Sequence, residues 1–109
     1  MNYREFGKTG EKISALGFGC MRFPEYKQDE KNFVDQEKTD EMVAYAYENG
    51  VNYFDTSPAY CRGESEGVTG DALARHPRER YKIATKLSNF SPSQYPIEKC
   101  REMFERSLK

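Results

Sequence analysis

Three side chains in this sequence could act together on a polar bond: Asp55, Tyr60 and Lys86. Asp55 ends the run Val51-Asn52-Tyr53-Phe54-Asp55, and Lys86 ends Tyr81-Lys82-Ile83-Ala84-Thr85-Lys86. Tyr60 lies five residues after Asp55 in the segment between them. A free phenol has a pKa of about 10 and is a poor acid at neutral pH. A nearby ammonium favours the phenolate and lowers that value by about 1–3 units. A carboxylate behind the ammonium keeps it charged and oriented. Together they would make a phenol able to pass a proton to an oxygen that is gaining electron density, which is general acid catalysis.

That chemistry requires the three residues at one end of one sheet. Asp55 and Lys86 are 31 positions apart, close to one β-α-β unit of about 30 residues. Neighbouring strands lie about 4.8 Å apart, so the two charges could pair, with Tyr60 arching over from the intervening loop. Reactive groups in parallel β/α folds sit at the C-terminal ends of strands. Spacing alone leaves plainer alternatives open. Tyrosine is common in this sequence, an Asp before Thr56-Ser57-Pro58 is a routine turn starter, and a strand-terminal lysine is often a solvated tail.

The elements needed to position the trio are visible along the chain. Residues 2–14 predict two short strands around the turn Gly7-Lys8-Thr9-Gly10, with Tyr3, Phe6 and Ile13 as apolar positions. Ala15-Leu16-Gly17-Phe18-Gly19 predicts a strand whose glycines mark a close approach by backbone or ligand. Residues 24–38 carry eight charges and predict a solvated loop. Thr39 is the predicted cap of a first helix, with Asp40-Glu41 in its first turn, Val43, Ala46 and Tyr47 on one face and Asn49-Gly50 as the stop. Ser65 is the predicted cap of a second helix running to about His76 before Pro77. Ile97, Cys100, Phe104 and Leu108 form the stripe of a third, on which Cys100 is a core thiol. The order is a hairpin followed by three β/α units, which implies a parallel sheet with right-handed crossovers.

Composition narrows the function classes. The 109 residues carry 17 Lys+Arg and 18 Asp+Glu, and the net charge of −1 argues against a nucleic-acid binder. Charge runs from −4 over residues 1–55 to +3 over the rest, too mild to name a polyanionic or membrane-surface partner. No apolar run approaches the roughly 18 residues of a membrane span, and the N-terminus has no apolar signal region. Cys20, Cys61 and Cys100 lie about 40 residues apart, which gives neither a disulfide framework nor a metal pair and suits reduced thiols in the cytoplasm. Cys20 and Cys61 read as filler in loops, or as thiols at the mouth of a site. The only histidine, His76, reads as a surface residue on the far side of the β/α unit. Gly17-Phe18-Gly19 is too short for a phosphate loop. Leu, Ile, Val and Phe total 18 of 109 residues, a thin core for a free-standing domain.

The string Asn49-Gly50-Val51-Asn52-Tyr53-Phe54-Asp55-Thr56-Ser57-Pro58-Ala59-Tyr60 closely resembles the G-(V/I)-x-(Y/F)-(F/I)-D-T-(A/S)-x-x-Y signature of the aldo-keto reductases. Phe6-Gly7-Lys8-Thr9-Gly10 and Leu16-Gly17-Phe18-Gly19-Cys20-Met21-Arg22 look like that family's N-terminal hairpin and first strand. Gly63-Glu64-Ser65-Glu66 with Gly70 and Leu73 resembles its G-x-S-E-x-x-x-G-x-x-L segment, and Ile83-Ala84-Thr85-Lys86 resembles its lysine-bearing strand. The version Gly17 to Pro24 looks most like the bacterial branch that appends a C-terminal iron–sulfur module, which would lie outside these residues.

The resemblance implies the N-terminal portion of a (β/α)8 TIM barrel, with residues 1–109 as part of an NADP-dependent oxidoreductase domain. It implies Tyr60 as proton donor and Lys86 and Asp55 as its partners in reducing an aldehyde or ketone. It further implies that Gly19, Cys20, Met21 and Asp55 border bound NADPH or NADH. The family's catalytic histidine ends the next strand, and no residue here stands in for it. The alternative is a truncated, non-catalytic remnant or a regulatory protein of barrel fold. Substrate, cofactor preference and oligomeric state are not legible.

Overall fold

The computed structural model describes residues 1–109, and its framework is a three-stranded parallel sheet. Strand β1 (Tyr3–Glu5) pairs antiparallel with β2 (Lys12–Ser14) around the turn carrying Gly7 and Gly10. Both glycines have positive φ, 58° and 78°, conformations in which a side chain would be strained. Strands β3 (Phe18–Gly19), β6 (Tyr53–Asp55) and β7 (Lys82–Ala84) form the sheet with β6 in the middle. The register aligns Gly19, Asp55 and Ala84 in one row. Helices α1 (Gln36–Glu48), α2 (Ser65–Leu73) and α3 (Ile97–Ser107) follow the three strands in turn. This is the expected hairpin and three β/α units, with one addition.

The addition is a second hairpin between β3 and α1. Residues 24–38, expected as a solvated loop, contain β4 (Glu25–Gln28) and β5 (Lys31–Val34). Asp29 and Glu30 both take positive φ, 50° and 62°, the two-residue turn that suits the twist of a hairpin. Tyr26 and Phe33 stack across it at 5.8 Å. Its charged strand residues, Glu25, Lys27 and Lys31, are all exposed, and their number concealed the pairing pattern.

Helix boundaries also differ from expectation for a local reason. The cap of α1 is Asp35, whose carboxylate accepts from the Lys38 N–H at 3.1 Å. Thr39 is instead buried inside the helix and donates its hydroxyl to the Asp35 carbonyl at 2.8 Å. Asp40 bridges to Arg75 at 2.6 Å, tying α1 to the chain beyond α2. Ser65 is the first residue of α2 rather than its cap, and the helix ends at Leu73 rather than His76. His76 stacks on Tyr47 at 4.1 Å.

The core lies between the sheet and the first two helices. Phe54, at the centre of β6, is completely buried with Val43 of α1, Ala72 and Leu73 of α2, and Val51 and Tyr81. The first hairpin is fastened beneath β6 by Asn52. Its side-chain oxygen accepts from the Ser14 N–H at 2.7 Å, and its amide donates to the Lys12 carbonyl at 3.0 Å. The close approach expected at Gly17 is absent: a Cβ there would make an ordinary contact, 3.5 Å from the Tyr53 ring.

Helix α3 is where the expected core fails. Its stripe is not buried: Ile97, Phe104 and Leu108 are 60, 57 and 70% exposed, and Met103 alone turns inward. Cys100 is half-buried rather than a core thiol. Strands β3 and β7 are both open edges, and an unpaired edge beside exposed apolar side chains recruits other chains. Expressed by itself, the 109-residue chain should therefore associate or stay molten, without a cooperative thermal transition. Differential scanning calorimetry of the purified chain checks this. A sharp unfolding peak from a soluble monomer would contradict it.

Candidate active site

The parallel register decides which side chains meet. Asp55 ends β6 with Ala84 as its partner on β7. Side chains alternate along a strand, so Lys86, two residues beyond Ala84, projects to the same side. Its Nζ reaches back to Asp55 Oδ1 at 2.5 Å and to the Thr56 carbonyl at 2.9 Å. The same ammonium lies over the Tyr60 ring, 4.9 Å from its centroid, within cation–π range. The structure thus brings together all three residues singled out by spacing.

Tyr60 is presented by a strained segment. It opens a 3₁₀ turn, Tyr60–Gly63, whose backbone is left-handed at Cys61 (φ 51°) and Arg62 (φ 57°). Two successive non-glycine residues in that region cost on the order of 1–3 kcal/mol each and persist only where the surroundings hold them. Here Arg62 bridges Glu25 of β4 at 2.9 Å and Glu64 at 3.3 Å. The Cys61 thiol donates to the Met21 carbonyl at 3.4 Å. The second hairpin is thereby bound to the loop that carries Tyr60. A groove of about 470 Å³ opens beside that tyrosine, lined by Met21, Arg22, Phe23 and Ala59 among others. A larger cavity of about 710 Å³ lies between α2 and α3, and none of Asp55, Tyr60 or Lys86 lines it.

The turn after β3 forms the near wall. Gly19 and Met21 are exposed, and nothing lies within 4 Å of the place a Gly19 Cβ would occupy. Cys20 is different: its side chain is completely buried, and burial pushes its thiol pKa up. Its N–H donates to the Asp55 carbonyl at 2.8 Å and its carbonyl accepts from Ser65 Oγ at 2.7 Å. Cys61 is also buried, so both thiols behave as filler.

Sequence reasoning missed the hydroxyl residues beneath this surface. Thr56 and Ser65 pair at 2.8 Å, and Ser57 and Ser88 at 2.7 Å, all four buried. Short polar residues next to a turn look like ordinary loop residues, and only the fold reveals their burial.

Parallel strands alternating with helices, with a carboxylate, a phenol and an ammonium gathered at the strands' C-terminal ends, define a portion of a (β/α) barrel with a site at its mouth. The sequence matches the Aldo/keto reductase family over residues 15–109, and the chain belongs to that family. It is 34% identical over 90 residues to versiconal hemiacetal acetate reductase of Aspergillus parasiticus, covering 79% of this chain and 25% of that protein. It is 32% identical over 108 residues to L-galactose dehydrogenase of Arabidopsis thaliana, covering 96% and 33%. Among solved structures, the holo form of an aldo-keto reductase from Bacillus halodurans superposes with a TM-score of 0.76 at 29% identity, covering 99% of this chain and 35% of that one. These neighbours are (β/α)8 barrels, and the chain is an incomplete part of that architecture. It spans about a quarter to a third of the curated relatives' length.

The hydrogen bond that Lys86 donates to Asp55, with a further contribution from Tyr60, raises the Lys86 pKa above the usual 10.5. A raised lysine contributes stability that is complete below the unfolded value and is lost as pH climbs through the folded one. Because both side chains are about two-fifths exposed, the pair contributes no more than about 1 kcal/mol. In the polypeptide the gene encodes, the stability difference between parent and Lys86→Met should be the same at pH 7 and pH 9 and should shrink as pH rises past the usual lysine value of 10.5. Urea midpoints at the three values check this, and a difference that vanished by pH 9 would contradict the pairing.

Proposed function

We propose that residues 1–109 form the N-terminal part of an NAD(P)H-dependent oxidoreductase domain that reduces the carbonyl group of an aldehyde or ketone. The observation carrying this proposal is Lys86, whose one ammonium touches the Asp55 carboxylate and the face of Tyr60. Tyr60 is the proton donor. Lys86 stays charged because Asp55 holds it, and that charge favours the phenol's loss of its proton as the substrate oxygen becomes negative. Asp55 fixes the ammonium from behind, while the Thr56 carbonyl accepts a second hydrogen bond from it.

NADPH or NADH held at this mouth would supply the hydride. Gly19 and Met21 would meet it from the turn after β3, with Asp55 accepting from a ribose hydroxyl. Cys20 contributes by holding that turn, since its own side chain is sealed inside. The groove beside Tyr60 gives a small carbonyl compound access from the second-hairpin side. Three free thiols support a reducing compartment, the cytoplasm.

The polypeptide the gene encodes provides the test. Tyr60→Phe removes one hydroxyl, so folding and NADPH binding should persist while carbonyl reduction falls by about 10²–10⁴-fold, the range of a general acid. NADPH oxidation at 340 nm with a reactive aldehyde measures it. More than about a tenth of the parent kcat remaining, far above that range, would remove Tyr60 from the role.

A further inference from the structure

A chain of buried hydroxyls connects the turn after β3 to the lysine side of the site. Ser65 Oγ donates to the Cys20 carbonyl at 2.7 Å. A serine hydroxyl has a single proton, so the 2.8 Å contact with Thr56 Oγ1 must be a donation from Thr56 to Ser65. The backbone of Thr56 belongs to the same assembly: its N–H donates to the Ala84 carbonyl at 2.8 Å, and its carbonyl accepts from Lys86 Nζ. Cys20, Thr56 and Ser65 are each 2% exposed or less. No water competes for these bonds. The turn is therefore held on two sides, by the Asp55 carbonyl at the Cys20 N–H and by Ser65 at the Cys20 carbonyl.

We propose that Ser65 is a positioning residue: its buried hydroxyl, bridging the Cys20 carbonyl and the Thr56 hydroxyl, fixes the Gly19–Met21 turn at a set distance from Asp55, Tyr60 and Lys86. The proposal rests on the catalytic function proposed above and adds a residue that touches neither substrate nor cofactor. One wall of the site is the turn and the other is the end of β6, and Ser65, on the first turn of α2, binds to both. Removing its hydroxyl leaves the buried Cys20 carbonyl with only the distant Cys61 thiol, at 4.0 Å, as a donor. The turn then has a reason to move, and misplacement of reacting groups by about 1 Å can cost on the order of 10²-fold in rate.

The test uses the polypeptide the gene encodes, its variants Ser65→Ala, Thr56→Val, Thr56→Ser and Tyr60→Phe, and rates normalised to the folded fraction. Three quantities are read: kcat with a reactive test aldehyde, the isotope effect on kcat with C4-deuterated NADPH, and the NADPH dissociation constant by titration calorimetry. Ser65→Ala should lower kcat by about 10–100-fold, enlarge the isotope effect as the chemical step becomes limiting, and weaken NADPH binding several-fold. Thr56→Val should move all three in the same direction by less, and Thr56→Ser should restore them. A hydroxyl needed only for folding would lower the melting temperature and leave these quantities alone. Ser65→Ala at parental values while Tyr60→Phe collapses would overturn the proposal and leave the catalytic reading intact. If Ser65→Ala does not fold, Thr56→Val decides on the same criteria. If Tyr60→Phe turns over like the parent, the reading fails and the proposal fails with it.

Discussion

The Asp55–Lys86 ion pair is the contact around which the rest of this structure is arranged. Its partners come from the ends of adjacent parallel strands, and only a parallel register with the two ends level brings them together. Lys86 is not the direct neighbour of Asp55 in that register; Ala84 is. Being two positions further on, the lysine must lean back across the strand ends. In doing so it passes the face of Tyr60 and reaches the Thr56 carbonyl. One cation from the third β/α unit thus gathers a carboxylate, an aromatic ring and a backbone carbonyl from the second. The buried Phe54 and its neighbours hold those two strands in place beneath it.

Around this pair the molecule places strain on one side and buried hydroxyls on the other. The left-handed backbone at Cys61 and Arg62 is retained because ion pairs to Glu25 and Glu64 and a thiol contact to Met21 hold it. The loop carrying Tyr60 is thereby joined both to the second hairpin and to the turn after β3. Ser65 and Thr56 fasten that same turn from below. Reactive groups need a position fixed within a fraction of an ångström, and short, buried hydrogen bonds supply it better than a mobile surface loop.

How much of this could be read in the sequence depended on the range of the interactions. Asp55 and Lys86 were legible because a β-α-β unit has a characteristic length and strand ends are level in a parallel sheet, and Tyr60 because it closes the family-like string Asn49 to Tyr60. The three short parallel strands and the first hairpin followed from short apolar runs between glycine turns. The second hairpin was not legible, because its turn, Asp29-Glu30, lacks glycine and its strands are rich in charge. Helix α1 was displaced because Thr39 resembles a cap while Asp35 performs that function. The stripe of α3 identified a helix but not its surroundings, since periodicity says which side is apolar and not what covers it. Thr56 and Ser65 stand in the family-like motifs, but nothing in the sequence signalled their contact: they are nine residues apart and meet only where α2 packs onto the sheet.

The central claim is that Lys86 acts through Tyr60, so that the two residues perform a single proton transfer. A double-mutant cycle on carbonyl reduction by the polypeptide the gene encodes measures this directly, using Tyr60→Phe, Lys86→Met and the pair together. Residues that act as a unit are strongly non-additive. The double variant should have a kcat/KM within about threefold of the more damaged single variant, because the transfer can be lost only once. A double variant whose loss equals the product of the two single losses would show that Lys86 and Tyr60 work independently, and would contradict the account.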